Sequence, residues 1–370
     1  MSPFLPGELA VEHVRTLAPY VPGKPIEELE RELGISNIIK LASNENPFGP
    51  SPLAIEAMQR ALKDSWLYPD GSGHVLKHKL AARLGVAPGQ ITLGNGSNDA
   101  LVLLAEAFLA PGFEAVYSQY AFAVYPIAIQ ATGARGVAVP ALPADSSMPL
   151  GHDLAAMAGA ITTRTRVVFV ANPNNPTGTW ADAPALEAFI AAVPPQVIVA
   201  LDEAYFEYTA GLPLQDGIQW LKRYPNLVVF RTFSKAYGLA GVRVGYAVSH
   251  PSVADMLNRV RQAFNVSTLG LAAAAASLED PTHVAASVNV AIAERARVAA
   301  RLAKTGTRVV PSAGNFLLLH AGANARQRFD ALLRKGIIVR PVANYQLPEH
   351  LRVTLGTVEQ NDRFLSAWEA

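Results

Sequence analysis

The chain contains no cysteine among its 370 residues. That excludes disulfides, iron–sulfur clusters and thiolate zinc sites, and leaves His, Asp and Glu as the only possible metal ligands. An excess of charge of one sign is missing too: 31 Lys and Arg against 30 Asp and Glu give a formal net charge of +1. Without a Lys/Arg-rich run there is no electrostatic footprint for nucleic acid or for an anionic membrane surface. Long apolar runs are also lacking. The most apolar stretch, Leu269 to Leu278, is too short to cross a bilayer and ends at Asp280 and Pro281, so it reads as a packed helix. The opening residues carry no basic start, and Glu8, Glu12 and His13 interrupt their apolar character. No signal peptide is expected, and cytoplasmic residence fits.

What is present is a large apolar fraction, 50% of the chain, in a length beyond that at which a single core keeps growing. Two domains are expected. The Pro-, Gly- and Asn-rich segment Ser43 to Pro52 reads as an ordered loop. From there apolar, β-branched runs alternate with Ala/Leu-rich helical patterns, which predicts an α/β fold with a mostly parallel central sheet. Strands are expected at Ile91–Leu93, Ala115–Tyr117, Val167–Ala171, Val197–Leu201, Leu227–Arg231 and Val244–Val248. After Met256 a long helical region leads to strands near Arg308–Val310, Phe316–Leu319, Ile337–Val339 and Leu351–Leu355, a smaller α+β unit. The expected division is an N-terminal arm over residues 1–42 that joins the small domain, a large domain over 43–255 and the small domain over 256–370.

In open α/β sheets ligands bind beyond the C-terminal strand ends, and there the unusual polar residues fall. Asp202 follows the strand Val197–Leu201; a carboxylate in that place caps a helix, ligates a metal or partners a protonated heteroaromatic nitrogen. Lys235 follows Leu227–Arg231 within ArgThrPheSerLysAlaTyrGly. A lysine after a buried strand and before a Gly-rich segment reads as a functional amine rather than a solvated charge. Thr232, Ser234 and Arg243 around it suit a phosphate. NPNNPTG (Asn172 to Gly178) is a stiff turn whose asparagines could hold an aromatic hydroxyl. Gly96, Ser97 and Asn98 form a strand-to-helix turn with free N–H groups for an anion. That turn has GxGxxD spacing, which lacks the third small residue of a dinucleotide fingerprint and disfavours a nicotinamide oxidoreductase. His74 and His78, four apart, have no third ligand beside them, and no metal site is expected.

In order and spacing, NPNNPTG, a strand ending AspGluAlaTyr, and SerLys with Arg eight residues later resemble fold-type I pyridoxal-phosphate aminotransferases of the aspartate aminotransferase superfamily, over nearly the whole chain. ProTyrValProGlyLys (Pro19 to Lys24), LeuAlaSerAsnGluAsnProPheGlyPro (Leu41 to Pro50), TyrProAsp (Tyr68 to Asp70) and LeuArgValThrLeuGlyThr (Leu351 to Thr357) are similar to its histidinol-phosphate aminotransferase branch.

The resemblance implies that pyridoxal 5'-phosphate is tethered to Lys235, that Asp202 pairs with its ring nitrogen, and that Tyr205 and Asn175 contact its 3-oxygen. It implies that Gly96, Ser97, Asn98, Thr232, Ser234 and Arg243 hold the phosphate and that Phe122 stacks on the ring. The family often has ProThr-aromatic-Ser around Phe122, whereas this chain has Tyr120, Ala121, Phe122 and Ala123. Arg352 is implied to grip the substrate's anionic group, with Tyr20, Arg340 and Asn44 nearby. A homodimer is implied, Tyr68 reaching the neighbouring chain's phosphate, and the reactants are a small amino donor and a 2-oxo acid. Aromatic aminotransferases and threonine-phosphate decarboxylases share these motifs. A regulator built on an aminotransferase-like domain would need a helix-turn-helix segment, for which there is no room before Ser43.

Overall fold

The computed structural model describes residues 5–370. Its centre is a seven-stranded sheet of β2 (Ile91–Gly94), β3 (Glu114–Ser118), β4 (Arg135–Val139), β5 (Thr165–Ala171), β6 (Ile198–Asp202), β7 (Leu227–Thr232) and β8 (Gly245–Ser249), in the order β2-β8-β7-β6-β5-β3-β4. All neighbours run parallel except β8, which is antiparallel to both β7 and β2. The strands are apolar on both faces because helices cover both. Side-chain alternation sends Val168, Val170, Val199, Leu201 and Val229 into one core, and Phe169, Ala171, Ala200, Val228 and Phe230 into the other. Helix Ser97–Phe108 covers the second face with Ala100, Leu101, Leu104 and Ala105, the i, i+1, i+4, i+5 stripe of an amphipathic helix.

A smaller antiparallel sheet, in the order β12-β13-β10-β9, combines β9 (Arg308–Val310), β10 (Phe316–His320), β12 (Arg340–Pro341) and β13 (His350–Thr354). The strand expected over Ile337–Val339 is shorter: Ile337 and Ile338 form β11, which pairs in parallel with β1 (Ile39–Lys40), and the chain then changes sheet, so that Arg340 and Pro341, beyond the expected limit, pair with β13. The N-terminal region is thereby joined to the C-terminal one. Helix Thr268–Ser277, the Ala-rich stretch, packs against helices Pro52–Leu62 and His74–Leu84. Strand β4, absent from the sequence expectation, is an edge strand whose first residues, Arg135 and Gly136, are exposed. An edge strand needs no continuous apolar run.

Behind the C-terminal ends of β6 and β7 lies a buried ion pair. Arg231 donates to Glu203 Oε2 through Nε at 3.1 Å and Nη2 at 2.6 Å, and Nη2 also reaches Asp216 at 2.7 Å. Glu203 Oε1 accepts from the Gly217 N–H at 2.9 Å. Burial pushes the Glu203 carboxyl up to about 7. This network pins the two strand ends that carry Asp202 and Thr232. Arg231→Met should strip Glu203 of its counter-charge and destabilise the chain by about 3–5 kcal/mol, whereas Arg231→Met with Glu203→Gln should lose much less. Urea unfolding midpoints compare them, and equal losses in the single and double variants would contradict this reading.

Candidate active site

The C-terminal ends of β5, β6 and β7 open onto a cavity at the joint between the two sheets. Tyr20, Asn44, Ser97, Asn98, Phe122, Asn175, Asp202, Tyr205, Thr232, Ser234, Lys235, Arg243, Arg340 and Arg352 all line it, so segments from the whole length of the chain converge there. Asp202 and Thr232 are the last residues of β6 and β7.

Asp202 is buried, and desolvation raises its carboxyl to about 6 against the opposing pull of Tyr125, the Ala204 N–H and Lys235. Its Oδ2 accepts from the Tyr125 hydroxyl at 2.8 Å and its Oδ1 from the Ala204 N–H at 3.1 Å. A carboxylate so placed gains most from a cationic hydrogen-bond donor in the cavity. Lys235 is partly buried, and desolvation first, then the Arg352 charge, lowers its amine to about 8. Its Nζ donates to the Ser43 carbonyl at 3.0 Å. An amine shifted in this direction is available as a nucleophile near neutral pH.

The turn between β2 and helix Ser97–Phe108 sits flush on the start of β8. Gly96 has φ 84°, and a Cβ there would come within 2.3 Å of the Arg243 guanidinium; a Cβ on Gly245 would lie 2.2 Å from the Ser97 nitrogen. Both glycines are required by close approach. Arg243 Nη1 donates to Ser234 Oγ at 3.1 Å, and Ser234 N donates to Thr232 Oγ1 at 3.1 Å. Unpaired N–H groups of a helix start, two hydroxyls and a guanidinium thus face one corner, a donor set for a phosphate.

At the opposite corner Arg340 and Arg352 stand directly across from each other on β12 and β13. Arg352 donates to Asn175 Oδ1 and, at 2.6 Å, to the Ala42 carbonyl. Its buried Nε has no partner, which leaves a donor for an anion. Arg340 holds the Val21 carbonyl at 2.6 Å, drawing the N-terminal segment over the cavity beside Tyr20. A phosphate corner, an amine, a carboxylate facing a ring-sized space and a second anion corner fit the expected cofactor together with a substrate.

Two expected residues stand apart from this lining. Gly96 acts as space for Arg243, and Tyr68 lies outside the cavity, 82% exposed and stacked on Phe264 with ring centroids 4.7 Å apart. The Asn44 carboxamide is engaged by Tyr205 and Thr354. The Asn175 Oδ1 is taken by Arg352, while Tyr205, raised to about 12 by burial, accepts at its hydroxyl oxygen from Asn44 at 2.8 Å. Sequence reasoning missed Tyr125, Ser43 and Thr354. Tyr125 could have been found: it lies three residues past Phe122 at the start of a helix, and a buried tyrosine hydroxyl requires a partner. The His74 and His78 rings lie 3.9 Å apart between centroids, tilted by 38°. Among the described residues no group of three or more His, Cys, Asp or Glu could hold a metal, and no helix is long and apolar enough to cross a membrane.

The family model for aminotransferase class I and II matches residues 36–367. A histidinol-phosphate aminotransferase of Methylococcus capsulatus is 56% identical over 359 residues, covering 97% of both chains. One from Pseudomonas aeruginosa is 56% identical over 369 residues, covering 99% of this chain and 98% of the relative. The crystal structure of histidinol-phosphate aminotransferase from Sinorhizobium meliloti in complex with pyridoxal-5'-phosphate superposes with a TM-score of 0.88 at 32% identity, covering 100% of this chain and 98% of that one. With its mostly parallel seven-stranded sheet and this array of side chains, the chain belongs to the class I and II aminotransferases, within the histidinol-phosphate aminotransferase family.

Proposed function

We propose that the protein is a pyridoxal-phosphate-dependent aminotransferase that exchanges the amino group of histidinol phosphate with 2-oxoglutarate. The observation that carries this reading is the pairing of a desolvated amine, Lys235, with two arginines on adjacent strands at the far side of one cavity. The cofactor, when bound, supplies an aldehyde that condenses with amines and a conjugated ring that accepts the electrons left when a bond to the substrate's α-carbon breaks.

The chain's own residues do the rest. Lys235 would hold the cofactor through its amine and, once freed by the substrate, would take up and return the proton of the substrate α-carbon. Asp202 keeps the ring nitrogen protonated, and Tyr125 and the Ala204 N–H hold Asp202 in place. Tyr205, through its hydroxyl, and Asn175 would hold the 3-oxygen. Thr232, Ser234, Arg243 and the Gly96–Asn98 turn retain the phosphate, and Phe122 covers the ring. Arg352 and Arg340 bind the substrate anion, with Tyr20 over the entrance. A guanidinium fork matches a carboxylate or a phosphate, so one corner serves histidinol phosphate and glutamate alike.

The purified holoenzyme should therefore prefer histidinol phosphate to phenylalanine, each with 2-oxoglutarate, by about a hundredfold or more in kcat/KM, the worth of a phosphate held by two arginines. Threonine phosphate should release no carbon dioxide. Preference for phenylalanine, or decarboxylation of threonine phosphate, would overturn the assignment.

We propose also that the enzyme is a cytoplasmic homodimer completed by Tyr68. Trp66 and Tyr68 are 80% and 82% exposed in one chain, and large aromatics so exposed fit an interface better than a free surface. Tyr68→Ala and Lys235→Ala should each be defective. A hybrid dimer of the two holds one intact site only if Tyr68 acts across the interface. Activity should return after subunit exchange; a verified hybrid that stays inactive, given a defective Tyr68→Ala parent, would place Tyr68 elsewhere.

A further inference from the structure

The segment Leu41–Glu45 lies between the small sheet and Lys235, and bonds run to it from both sides. From the small sheet, Thr354 N donates to the Leu41 carbonyl at 2.9 Å. Thr354 Oγ1 accepts from the Asn44 N–H at 2.9 Å and donates to Asn44 Oδ1 at 3.0 Å. Asn315 donates to the Asn44 carbonyl at 3.1 Å. Toward the cavity, Asn44 Nδ2 donates to the Tyr205 hydroxyl oxygen at 2.8 Å. Asn44 has a left-handed φ of 56°, a conformation that asparagine tolerates better than other residues with a Cβ. Asn44 and Thr354 are 1% and 3% exposed, so water does not compete for these bonds.

The bonds run in one direction. The Thr354 hydroxyl gives its proton to Asn44 Oδ1, and the amide nitrogen of the same carboxamide faces Tyr205. A hydroxyl that accepts a hydrogen bond becomes a better donor through its own proton. Strand alternation puts Thr354 on the same face of β13 as Arg352: one reaches the substrate's anion corner, the other reaches Asn44.

We propose that Thr354 and Asn44 are positioning residues that strengthen Tyr205 as a donor to the cofactor's 3-oxygen and tie that strength to the strand that carries Arg352. The proposal rests on the reading that Tyr205 meets the cofactor. Asp202, Arg352, Tyr125, Tyr208 and Tyr345 face Tyr205, and the Lys235 amine lies over its ring. Lys235 itself is faced by Arg352, Glu45, Arg243 and Lys40. Neutral substitutions at Asn44 and Thr354 leave all of these charges in place.

The test is a pH titration of the visible absorbance of the bound cofactor, without substrate, in the holoenzyme and in Tyr205→Phe, Asn44→Gly, Thr354→Val and Thr354→Ser. Asn44→Gly removes the amide yet keeps the left-handed backbone free of strain. Weakening the donor to the 3-oxygen lets that oxygen hold more tightly the proton it shares with the lysine-derived nitrogen, so the midpoint rises. Tyr205→Phe should give the largest rise. Asn44→Gly and Thr354→Val should give rises of about half a unit to one unit, the worth of one neutral hydrogen bond. Thr354→Ser should restore the parental midpoint, and Asn44→Gly should add nothing in the Tyr205→Phe background.

Unchanged midpoints in Asn44→Gly and Thr354→Val beside a shifted Tyr205→Phe would overturn the relay alone. A full Asn44→Gly shift in the Tyr205→Phe background would overturn it too, because the effect would bypass Tyr205. No shift in Tyr205→Phe would overturn the contact on which the relay depends. If Thr354→Val fails to load cofactor, Asn44→Gly and Thr354→Ser decide between the same outcomes.

Discussion

Desolvation of charge at the C-terminal edge of the central sheet is the constraint on which this site depends. Asp202 and Lys235 are drawn out of water by the packing that builds the two cores of the large sheet, and Arg352 is buried on the small sheet facing them; in each the charged form is disfavoured by burial. Such groups persist only where fixed dipoles or opposite charges repay part of the loss. The Tyr125 hydroxyl and the Ala204 N–H do so for Asp202, and the Ser43 carbonyl does so for Lys235. A ligand with a protonated ring nitrogen and a carbonyl carbon meets both groups in the form in which they serve it.

The second constraint is mechanical. A site assembled from Tyr20, Asn44, Asp202, Lys235 and Arg352 requires the small sheet to be held against the large one. The β1–β11 pairing ties the N-terminal region to the small sheet's side of the molecule. The Leu41–Glu45 segment then passes between Arg352, Thr354 and Asn315 on one side and Tyr205 and Lys235 on the other. The Glu203–Arg231 pair performs the corresponding task inside the large sheet, keeping β6 and β7 in register where Asp202 and Thr232 emerge.

Strands buried on both faces were legible because a continuous apolar run bounded by turn residues has few other uses, and β5, β6 and β7 begin and end within two residues of the expected limits. That residues at these strand ends would converge on one cavity was legible for the related reason that a Lys, an Asp or three asparagines there conflict with burial. Edge strand β4 was not, since exposure on one side removes the apolar signal. Nor could local pattern reveal that the chain changes sheet between Ile338 and Arg340, a matter of which partner each side meets. The bonds of Asn44 to Tyr205 and Thr354 cross 161 and 310 residues, and nothing within a short window specifies them. Tyr68 is legible as an unusual loop aromatic, but its stacking on Phe264, 196 residues away, is not.

Capture of the cofactor by the desolvated amine of Lys235 is tested most directly by borohydride reduction during reconstitution of the apoprotein. Peptide mapping should find the reduced label on Lys235. The capture rate should climb about tenfold per pH unit below the amine's value of about 8 and level off above it. A label on any other lysine, or a capture rate still rising at that slope toward the ordinary lysine range, would contradict it.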